Sequence, residues 1–489
     1  MNASSTKFSE ILKDIVATYG VDLIKDSHRV NALLMDLAPN NSRERKLVCS
    51  VLREGVGSEL ISVVDKADME QRQCIRRCVI QIKNETWIAE EAAEFAIQVI
   101  AYSLGINCEI KAPDRNRANN ETAQRAKFKA LIKGEYHGDV QRIGQALQEY
   151  TEIGYKAFSS IIDLKEVILP ETITVIRSRA FQNCTNLESI QLPSSLEQLG
   201  ESVFCGCNKL RSIKLLNNKT YAVINGMLVN KQRKALVRSQ NEQGKGKCQI
   251  PGEITSIEPY AFDQSFAEII TLPKSTTYIS RKAFYQCLNL QAFDVDPHNK
   301  TFTSINGVLH SRNKNRLLRY PPGRKSSNYY VEDGVEEIAD CAFSGVRILE
   351  SITFSNDVKK IGTRAFEYCT SIETLMLPAS IEVIGERAFQ GCSKLSSVML
   401  PRTITEIGDF AFSDCGAIVT ISVPPKVQRI GHAAFKDCAA LRKIVIQNEV
   451  SSMGDGVFDG CSSELEVCVR DNQYVERFCR ARGIKVSKI

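Results

Sequence analysis

The stretch Ile384–Pro401 reads IGERAFQGCSKLSSVMLP, and the same frame organises most of the chain. It returns further along as Ile407–Pro424, with its glycine, phenylalanine, cysteine and proline in the same places. Within the stretch, residues Val398–Leu400 alternate as a half-buried strand does, and Pro401, which cannot donate to a sheet, ends that strand. No single copy could bury its own apolar faces, so neighbouring copies must stack and share one core.

Phenylalanines follow the same period along the chain. One constant step of about 23 residues separates Phe158, Phe181 and Phe204, and likewise Phe343, Phe366, Phe389, Phe412, Phe435 and Phe458. Phe262 and Phe284 lie between the two series at nearly the same step, and much longer steps flank them. Each long step equals one repeat plus an insert. The pattern therefore predicts a solenoid of about 23-residue coils with two longer units and a stack of phenylalanine rings inside.

Seventeen cysteines could indicate disulfides or a metal site, and the repeat offers a third interpretation. Eight of them stand three residues after a repeat phenylalanine, where a small apolar side chain suits a core. No CxxC pair occurs, since Cys74 and Cys78 are four residues apart and Cys205 and Cys207 two. We therefore predict no metal site and no cofactor. The predicted core residues are Phe181, Phe204, Phe366, Phe389, Phe412, Phe435, Cys369, Cys392, Cys415 and Cys438.

The frame of residues 384–401 resembles the BspA-like leucine-rich repeats of bacterial and some protist proteins, over about residues 151–489. The longer units resemble a variant of that repeat on the segments Val223–Leu228 and Ser304–Leu309. Each of these segments holds an Asn-Gly pair between apolar residues, which indicates a hairpin. The resemblance implies a binding protein, and many members are surface adhesins. No secretory leader or wall anchor is visible, so we expect a cytoplasmic protein; a cell-surface adhesin is the alternative if a leader precedes the sequence.

Helical periodicity dominates the N-terminal part of the chain, where apolar residues from Phe8 to Tyr19 share one face and Gly20 ends the run. The predicted fold class is an α+β repeat, with an α-helical bundle before the leucine-rich-repeat solenoid. The expected domains are a helical bundle (residues 1–106), a linker (107–122), a helical N-terminal cap (123–150), the solenoid (151–464) and a C-terminal cap (465–489). In that last cap, Tyr474, Phe478 and Cys479 are expected to face the core.

Two segments of the predicted bundle, Arg29–Leu34 and Glu91–Ala96, are weakly similar to a small helical module of multidomain bacterial proteins. That similarity implies an adaptor role. No run of about 18 apolar residues occurs, so no membrane-spanning helix is expected. Catalytic frames such as GxxxxGK[ST], HExxH, GxSxG and GxGxxG are absent, and we predict that the protein is not an enzyme.

The outward side of the predicted strands is the first candidate binding surface. Met376 and Met399 should be neighbours about 5 Å apart on adjacent strands, and hydroxyl-bearing residues surround them. An exposed methionine pair is adaptable enough to dock a protein partner, whereas the plainer interpretation is that methionine is tolerated on a strand surface. The candidate partner-binding residues are Thr374, Met376, Ser397, Met399, Thr420 and Ser422.

Positive charge in the two longer units is the second candidate. Residues 216–248 hold seven basic residues and one acidic residue, and residues 298–327 hold seven basic residues and none acidic. Such a patch could bind nucleic acid, an acidic protein or another anionic ligand, while solvated hairpins are the plainer interpretation. Its predicted members are Lys231, Arg233, Lys234, Arg238, Arg312, Lys314, Arg316 and Arg319. Binding of a protein partner through the solenoid is the favoured prediction, with nucleic acid as the alternative.

Overall fold

A computed structural model describes residues 3–53, 55–85, 88, 90–108, 123–128, 140–239, 246–447 and 450–489. The chain forms two compact units. Residues 1–163, 172–182 and 198–204 belong to the first unit, and residues 164–171, 183–197 and 205–489 belong to the second. The first unit is mainly helical and the second is mainly built of strands. The predicted fold class, a helical region followed by a repeat solenoid, is confirmed.

The helices of the first unit follow the apolar periodicity of the sequence. The helices are α1 Ala3–Tyr19, α2 Ser27–Leu37, α3 Ser42–Arg53, α4 Val56–Ile61, α5 Asp68–Glu85, α6 Glu90–Ser103 and α7 Val140–Leu147. Gly20 ends α1 with a φ of 86°, and a 3-10 turn, Val21–Lys25, follows it. Phe8, Leu12 and Phe95 are buried in the core of this unit. None of the helices among the described residues is both long and apolar enough to cross a membrane.

Part of the N-terminal organisation expected from the sequence lies outside the described residues. The residues that are not described include 109–122, which form most of the expected linker, and 129–139, which lie within the expected cap. Residues 123–128 are helical, as is α7. Phe128 stacks on Phe158, with ring centroids 4.6 Å apart. A helix therefore supplies the ring before the first phenylalanine of the repeat.

Short strands make up the repeat region. The first of these are β1 Glu152–Ile153, β2 Glu166–Ile168, β3 Val175–Ile176, β4 Ser189–Leu192, β5 Gln198–Leu199, β6 Ser212–Leu215, β7 Tyr221–Ile224, β8 Met227–Asn230, β9 Ala235–Ser239, β10 Lys247–Gln249, β11 Ser256–Ile257, β12 Ile269–Leu272, β13 Tyr278–Ile279, β14 Ala292–Val295, β15 Phe302–Ile305, β16 Val308–Ser311 and β17 Arg316–Arg319. The remainder are β18 Asn328–Tyr330, β19 Glu337–Ile338, β20 Ser351–Thr353, β21 Lys360–Ile361, β22 Thr374–Met376, β23 Val383–Ile384, β24 Ser397–Met399, β25 Glu406–Ile407, β26 Thr420–Val423, β27 Arg429–Ile430, β28 Lys443–Gln447, β29 Ser452–Met453, β30 Glu466–Arg470 and β31 Lys485–Lys488.

Strands one coil apart pair in parallel register. In the first unit the sheet order is β1-β3-β5. In the second unit a nine-stranded sheet runs β15-β16-β17-β19-β21-β23-β25-β27-β29, and its parallel pairs bring equivalent residues such as Ile361 and Ile384 together. The other strand of each later coil joins the groups β18-β20, β22-β24 or β26-β28-β30-β31. Each coil thus contributes strands to two separate sheet surfaces.

The phenylalanine stack fills the coils of the second unit. Phe366, Phe389 and Phe412 are fully buried, and consecutive ring centroids lie 5.2 and 5.3 Å apart with interplanar angles of 9°. These are offset-stacked distances, which add to the gain from burying each ring. All ten residues assigned to the core from the sequence are buried.

The repeat cysteines act as hydrogen-bond donors as well as small core residues. The Cys415 thiol donates to the Phe389 carbonyl oxygen at 3.2 Å, and the Cys392 thiol donates to that of Phe366 at 3.3 Å. Each of these carbonyl oxygens also accepts a hydrogen bond from the backbone amide of the cysteine in its own coil, so the thiol adds a second hydrogen bond that links one coil to the next. Burial raises the pKa of Cys392 to about 12. Because a thiol is reactive only as the thiolate, this site is chemically inert at neutral pH.

Close approach of successive coils explains the glycine of the frame. A Cβ on Gly408 would lie 2.8 Å from the carbonyl carbon of Gly385 and 2.9 Å from the amide nitrogen of Glu386. The positive φ angles fall on other positions, such as Arg387 at 55° and Phe410 at 54°. Gly408 is thus needed because there is no room for a side chain, and not because of an unusual backbone angle.

Both longer units insert an antiparallel hairpin, as the Asn-Gly pairs predict. β7 pairs with β8 and β15 with β16 in antiparallel register, and the turns contain Asn225-Gly226 and Asn306-Gly307. Positive φ angles at all four turn residues match the type I′ turn that suits twisted strands. β9 and β17 then return to parallel pairing with β11 and β19.

The C-terminal segment ends in a helix and a strand. The helix α8 spans Gln473–Arg480, and β31 pairs in parallel with β30. The Asn472 side chain accepts a hydrogen bond from the Val475 amide and caps the helix. Val475 and Cys479 are fully buried, whereas Tyr474 is 42% exposed. The prediction that Tyr474 faces the core is wrong, because the register of α8 turns Val475 inward instead.

Candidate protein-binding face

The two methionines are paired on the surface of the second unit. Met376 on β22 lies opposite Met399 on β24 in parallel register, and the side chains are 70% and 64% exposed. Leu375, between the exposed positions of β22, points inward and is buried. The alternation of the strand therefore presents the methionines to solvent while their neighbour anchors the strand in the core.

Exposed hydroxyl groups line the methionine pair. Thr374 lies opposite Ser397 in the same register, and the next strand, β26, exposes Thr420 and Ser422. β26 lies beside β24. We call the six residues Thr374, Met376, Ser397, Met399, Thr420 and Ser422 the methionine face. All six predicted partner-binding residues are exposed and lie on three successive strands.

Tyr330 extends the methionine face, although it was not among the partner-binding residues predicted from the sequence. It lies opposite Thr353 in the β18-β20 pair, is 53% exposed, and its hydroxyl donates to Asp333 Oδ1 at 2.6 Å. That hydrogen bond raises the pKa of Tyr330. β20 lies beside β22, which carries Met376. The repeat period could have identified Tyr330, because residue 353 lies one repeat before Met376 and residue 330 lies two repeats before it.

No charged residue occupies the outward positions of these five strands. From β18 to β26 they are Asn328, Tyr330, Ser351, Thr353, Thr374, Met376, Ser397, Met399, Thr420 and Ser422. Equivalent positions elsewhere carry charge, as Lys214 does on β6 and Lys443 and Glu466 do on β28 and β30. The methionine face is therefore the centre of an uncharged strip with large apolar side chains in one column.

The nine-stranded sheet presents a different surface, which consists largely of ion pairs between coils. Glu337 on β19 contacts Arg316 at 2.9 Å and Lys360 at 3.5 Å. Further along, Arg429 contacts Asp409 at 2.8 Å and also pairs with Glu406. Opposite charges one coil apart neutralise each other here, so this surface satisfies much of its charge within the chain.

Two of the eight predicted basic-patch residues are buried. Arg238 and Arg319 are 2% and 6% exposed and occupy equivalent places in the two longer units, at the same distance along the chain from the asparagine of the Asn-Gly turn. They therefore cannot contribute to a surface patch. The remaining members of the predicted patch, Lys231, Arg233, Lys234, Arg312, Lys314 and Arg316, are exposed.

Arg238 forms a buried ion pair. Its Nη1 lies 3.6 Å from Asp263 Oδ2 and donates to the Tyr260 carbonyl oxygen at 3.2 Å. The same Asp263 oxygen accepts a hydrogen bond from the Gly206 amide at 2.6 Å. Burial raises the pKa of Asp263, and Arg238 opposes that shift. The pair ties the first longer unit to the coil that follows it.

Arg319 is held differently. Its guanidinium group donates to the carbonyl oxygens of Ser344 and Phe284 at 3.1 and 3.3 Å and also to that of Cys341. Burial lowers the pKa of Arg319. Ser344 stands directly after the repeat phenylalanine, where Asp263 stands in the earlier coil. Carbonyl dipoles thus replace the carboxylate in the second longer unit.

Some of the exposed basic residues already have partners. Arg233 contacts Glu258 at 2.5 Å, Arg316 contacts Glu337, and Lys231 Nζ donates to the Asn218 carbonyl oxygen at 2.6 Å. Within the described residues, Lys234, Arg312 and Lys314 make no ion pair. The positive surface of the longer units is therefore much smaller than their residue count suggests.

Comparison with known proteins identifies the repeat. The family described as BspA type leucine rich repeat region matches in six copies, over residues 145–229, 243–315, 324–439 and 359–475. These matches cover more than half of the chain, so the protein belongs to that family, and the resemblance seen in the frame is confirmed. None of the curated protein sequences matches the chain.

Solved structures with a similar fold are leucine-rich-repeat proteins. A leucine rich cell surface protein from Faecalibacterium prausnitzii is 22% identical over 67% of this chain and 85% of its own, with a TM-score of 0.44. A leucine-rich repeat protein from Eubacterium ventriosum is 22% identical over 61% of this chain and 83% of its own, with a TM-score of 0.39. The pneumococcal vaccine antigen PcpA is 18% identical over 69% of this chain and 84% of its own, with a TM-score of 0.39.

Proposed function

We propose that this chain is a non-catalytic recognition protein that binds a protein partner through the methionine face. Membership of the BspA-type leucine-rich-repeat family suggests protein binding or surface recognition in general terms. The observation that carries the particular proposal is the uncharged strip around Met376 and Met399, whose side chains remain 70% and 64% exposed.

The chemistry of the strip indicates the chemistry of the partner. Methionine is flexible and polarisable, so it adapts to apolar side chains of varied shape, and surrounding hydroxyl groups can donate or accept hydrogen bonds at the rim. Charged residues in a partner would lose water here without meeting an opposite charge. The expected partner surface is therefore an uncharged one with protruding apolar side chains.

The test compares two faces of one protein. The double substitution Met376→Glu and Met399→Glu places two charges on the methionine face. Val383→Glu is the matched control, because Val383 is a 42% exposed apolar strand residue on the nine-stranded sheet. Photo-crosslinking groups placed at position 376 or at position 383 identify proteins that touch each face in the native cell extract.

The decisive measurement is the affinity of the purified partner for each variant. We expect binding to weaken by at least about 100-fold in the double variant, since buried carboxylates at an interface centre cost several kcal/mol, and by less than about threefold in the control. Equal affinity of the double variant and the wild type would overturn the proposal. Crosslinking from position 383 alone would also overturn it.

A further inference from the structure

A second cluster with recognisable chemistry lies among the N-terminal helices, in the first unit. Cys74 and Cys78 are one helical turn apart on α5, so their side chains share a face, and Glu59 on α4 faces them. The two thiol sulfurs and one carboxylate oxygen of Glu59 all lie within 4.8 Å of one another. Two sulfurs and a carboxylate form a donor set that suits zinc.

The distance between the Cys78 sulfur and the Glu59 carboxylate matches a tetrahedral metal site. Zn–S and Zn–O bonds of about 2.3 and 2.1 Å place sulfur and oxygen ligands about 3.6 Å apart at a tetrahedral centre. The distance between Cys78 Sγ and Glu59 Oε2 is 3.6 Å. Two sulfur ligands would stand about 3.8 Å apart by the same geometry. The other two distances lie within 4.8 Å, so they exceed the tetrahedral values by at most about 1.2 Å.

Burial and charge around the cluster also suit a bound cation. Cys74 and Cys78 are almost fully buried, whereas the Glu59 side chain is 35% exposed, which leaves a path to solvent on one side. Two thiolates and a carboxylate around Zn²⁺ would leave one negative charge. Arg77, whose Nε lies 3.7 Å from Glu59 Oε2, is placed to offset that charge.

We propose that Glu59, Cys74 and Cys78 form a zinc-binding site that joins α4 to α5, with a water molecule as the fourth ligand. Binding releases the two thiol protons to solvent and involves no change of oxidation state. The site is independent of the methionine face. In the structure, the Cys78 thiol donates to the Glu59 carboxylate and the Cys74 thiol donates to the Glu59 carbonyl oxygen at 3.6 Å.

The experiment uses the full chain, kept reduced and stripped of metal, with Zn²⁺ as the probe. Competition against a chromophoric chelator measures zinc affinity and stoichiometry in the wild type and in the variants Cys74→Ser and Cys78→Ser. Cys49→Ser is the matched control, because Cys49 is equally buried in the same helical core and belongs to no such cluster within the described residues.

We expect one tightly bound zinc per wild-type chain and per Cys49→Ser chain. Loss of one ligand should weaken zinc binding by more than about 100-fold, since even an outer-shell contact contributes roughly 10- to 100-fold. Co²⁺ in place of zinc should show sulfur-to-metal charge transfer that both cysteine variants reduce. A wild type that binds zinc no more tightly than the Cys78→Ser variant would overturn the proposal.

A further variant separates metal binding from damage to the helices. Glu59→Gln removes the negative charge from a partly exposed side chain and leaves both thiols and the packing in place. We expect this variant to keep its helical circular dichroism and to bind zinc at least about tenfold more weakly, because a neutral amide is a poor zinc ligand. Zinc affinity unchanged by Glu59→Gln would contradict the proposed ligand set.

Discussion

The methionine face and the nine-stranded sheet carry the same repeat period and yet expose opposite chemistry. On the nine-stranded sheet, Glu337 contacts Arg316 and Lys360, so charges of one coil find partners on the next. On the methionine face, Met376 lies opposite Met399 and Thr374 lies opposite Ser397, so the outward residues that face one another carry no charge. Only the inward residues are needed to fill the core of each coil. The outward residues can therefore either form ion pairs with one another or remain available to a partner.

Removing a core ring should have the largest effect, because the phenylalanine stack supports both surfaces. Phe389→Ala leaves a cavity between Phe366 and Phe412 and should lower the free energy of unfolding by about 3–5 kcal/mol. Hydrogen exchange should accelerate in β22 and β24 as well as in β23 and β25. Phe266→Ala is the control, since Phe266 is 46% exposed and its loss should lower stability by only about 1 kcal/mol. Equal effects of the two substitutions would show that the stacking described here does not stabilise the coils.

The close contact between coils at Gly408 should have the second largest effect on stability. Gly408→Ala would place a Cβ 2.8 Å from the backbone of Gly385, and we expect a loss of about 1–3 kcal/mol in urea unfolding. Gly416→Ala is the matched control, because a Cβ there meets nothing within 4 Å. If Gly408→Ala proved as mild as Gly416→Ala, the coils could separate without cost and the register of both sheets would rest on other contacts.

Loss of a charge from the nine-stranded sheet should lower stability less. Glu337→Gln removes the ion pairs to Arg316 and Lys360, and we expect a loss of under about 1 kcal/mol at low salt. The difference should shrink at high salt because mobile ions screen the pairs. Glu350→Gln is the control, since Glu350 is exposed and makes no ion pair among the described residues. A loss that did not depend on salt would show that these contacts are not electrostatic in origin.

The methionine face should contribute least to stability. Met376→Thr places a threonine where the neighbouring coil already has Thr353, and we expect a change of less than about 0.5 kcal/mol in unfolding free energy. Binding of a partner should nevertheless fall, because the apolar contact is lost. A destabilisation of several kcal/mol would mean that Met376 is part of the core, and the comparison between the two surfaces would fail.

The repeat itself could be predicted because its signals are local and periodic. The frame around Phe389, with a glycine, a phenylalanine and a cysteine at fixed steps, specifies one coil and its neighbours together. The hairpins of the longer units could be predicted equally well, since Asn225-Gly226 and Asn306-Gly307 favour the positive φ angles that the turns adopt. Tyr330 could have been assigned to the methionine face by the same period.

Contacts between residues outside the repeat frame could not be predicted in the same way. Arg238 and Arg319 look like surface charges in the sequence, but coils that follow the hairpins cover them. Asp263, which pairs with Arg238, stands in the following coil, at a position whose residue type varies from coil to coil. The charge of the longer units was therefore overestimated as a binding surface.

By itself, the sequence determined the period, the inward residues, the two inserted hairpins and the family, because each depends on short-range patterns that recur. Only the tertiary structure decided which basic residues are buried, why Gly408 has no room for a side chain, and that Glu59 meets Cys74 and Cys78. The physical reason is the same in each case. Burial, steric contact and the meeting of ligands depend on distances between segments, and those distances exist only once the chain has folded.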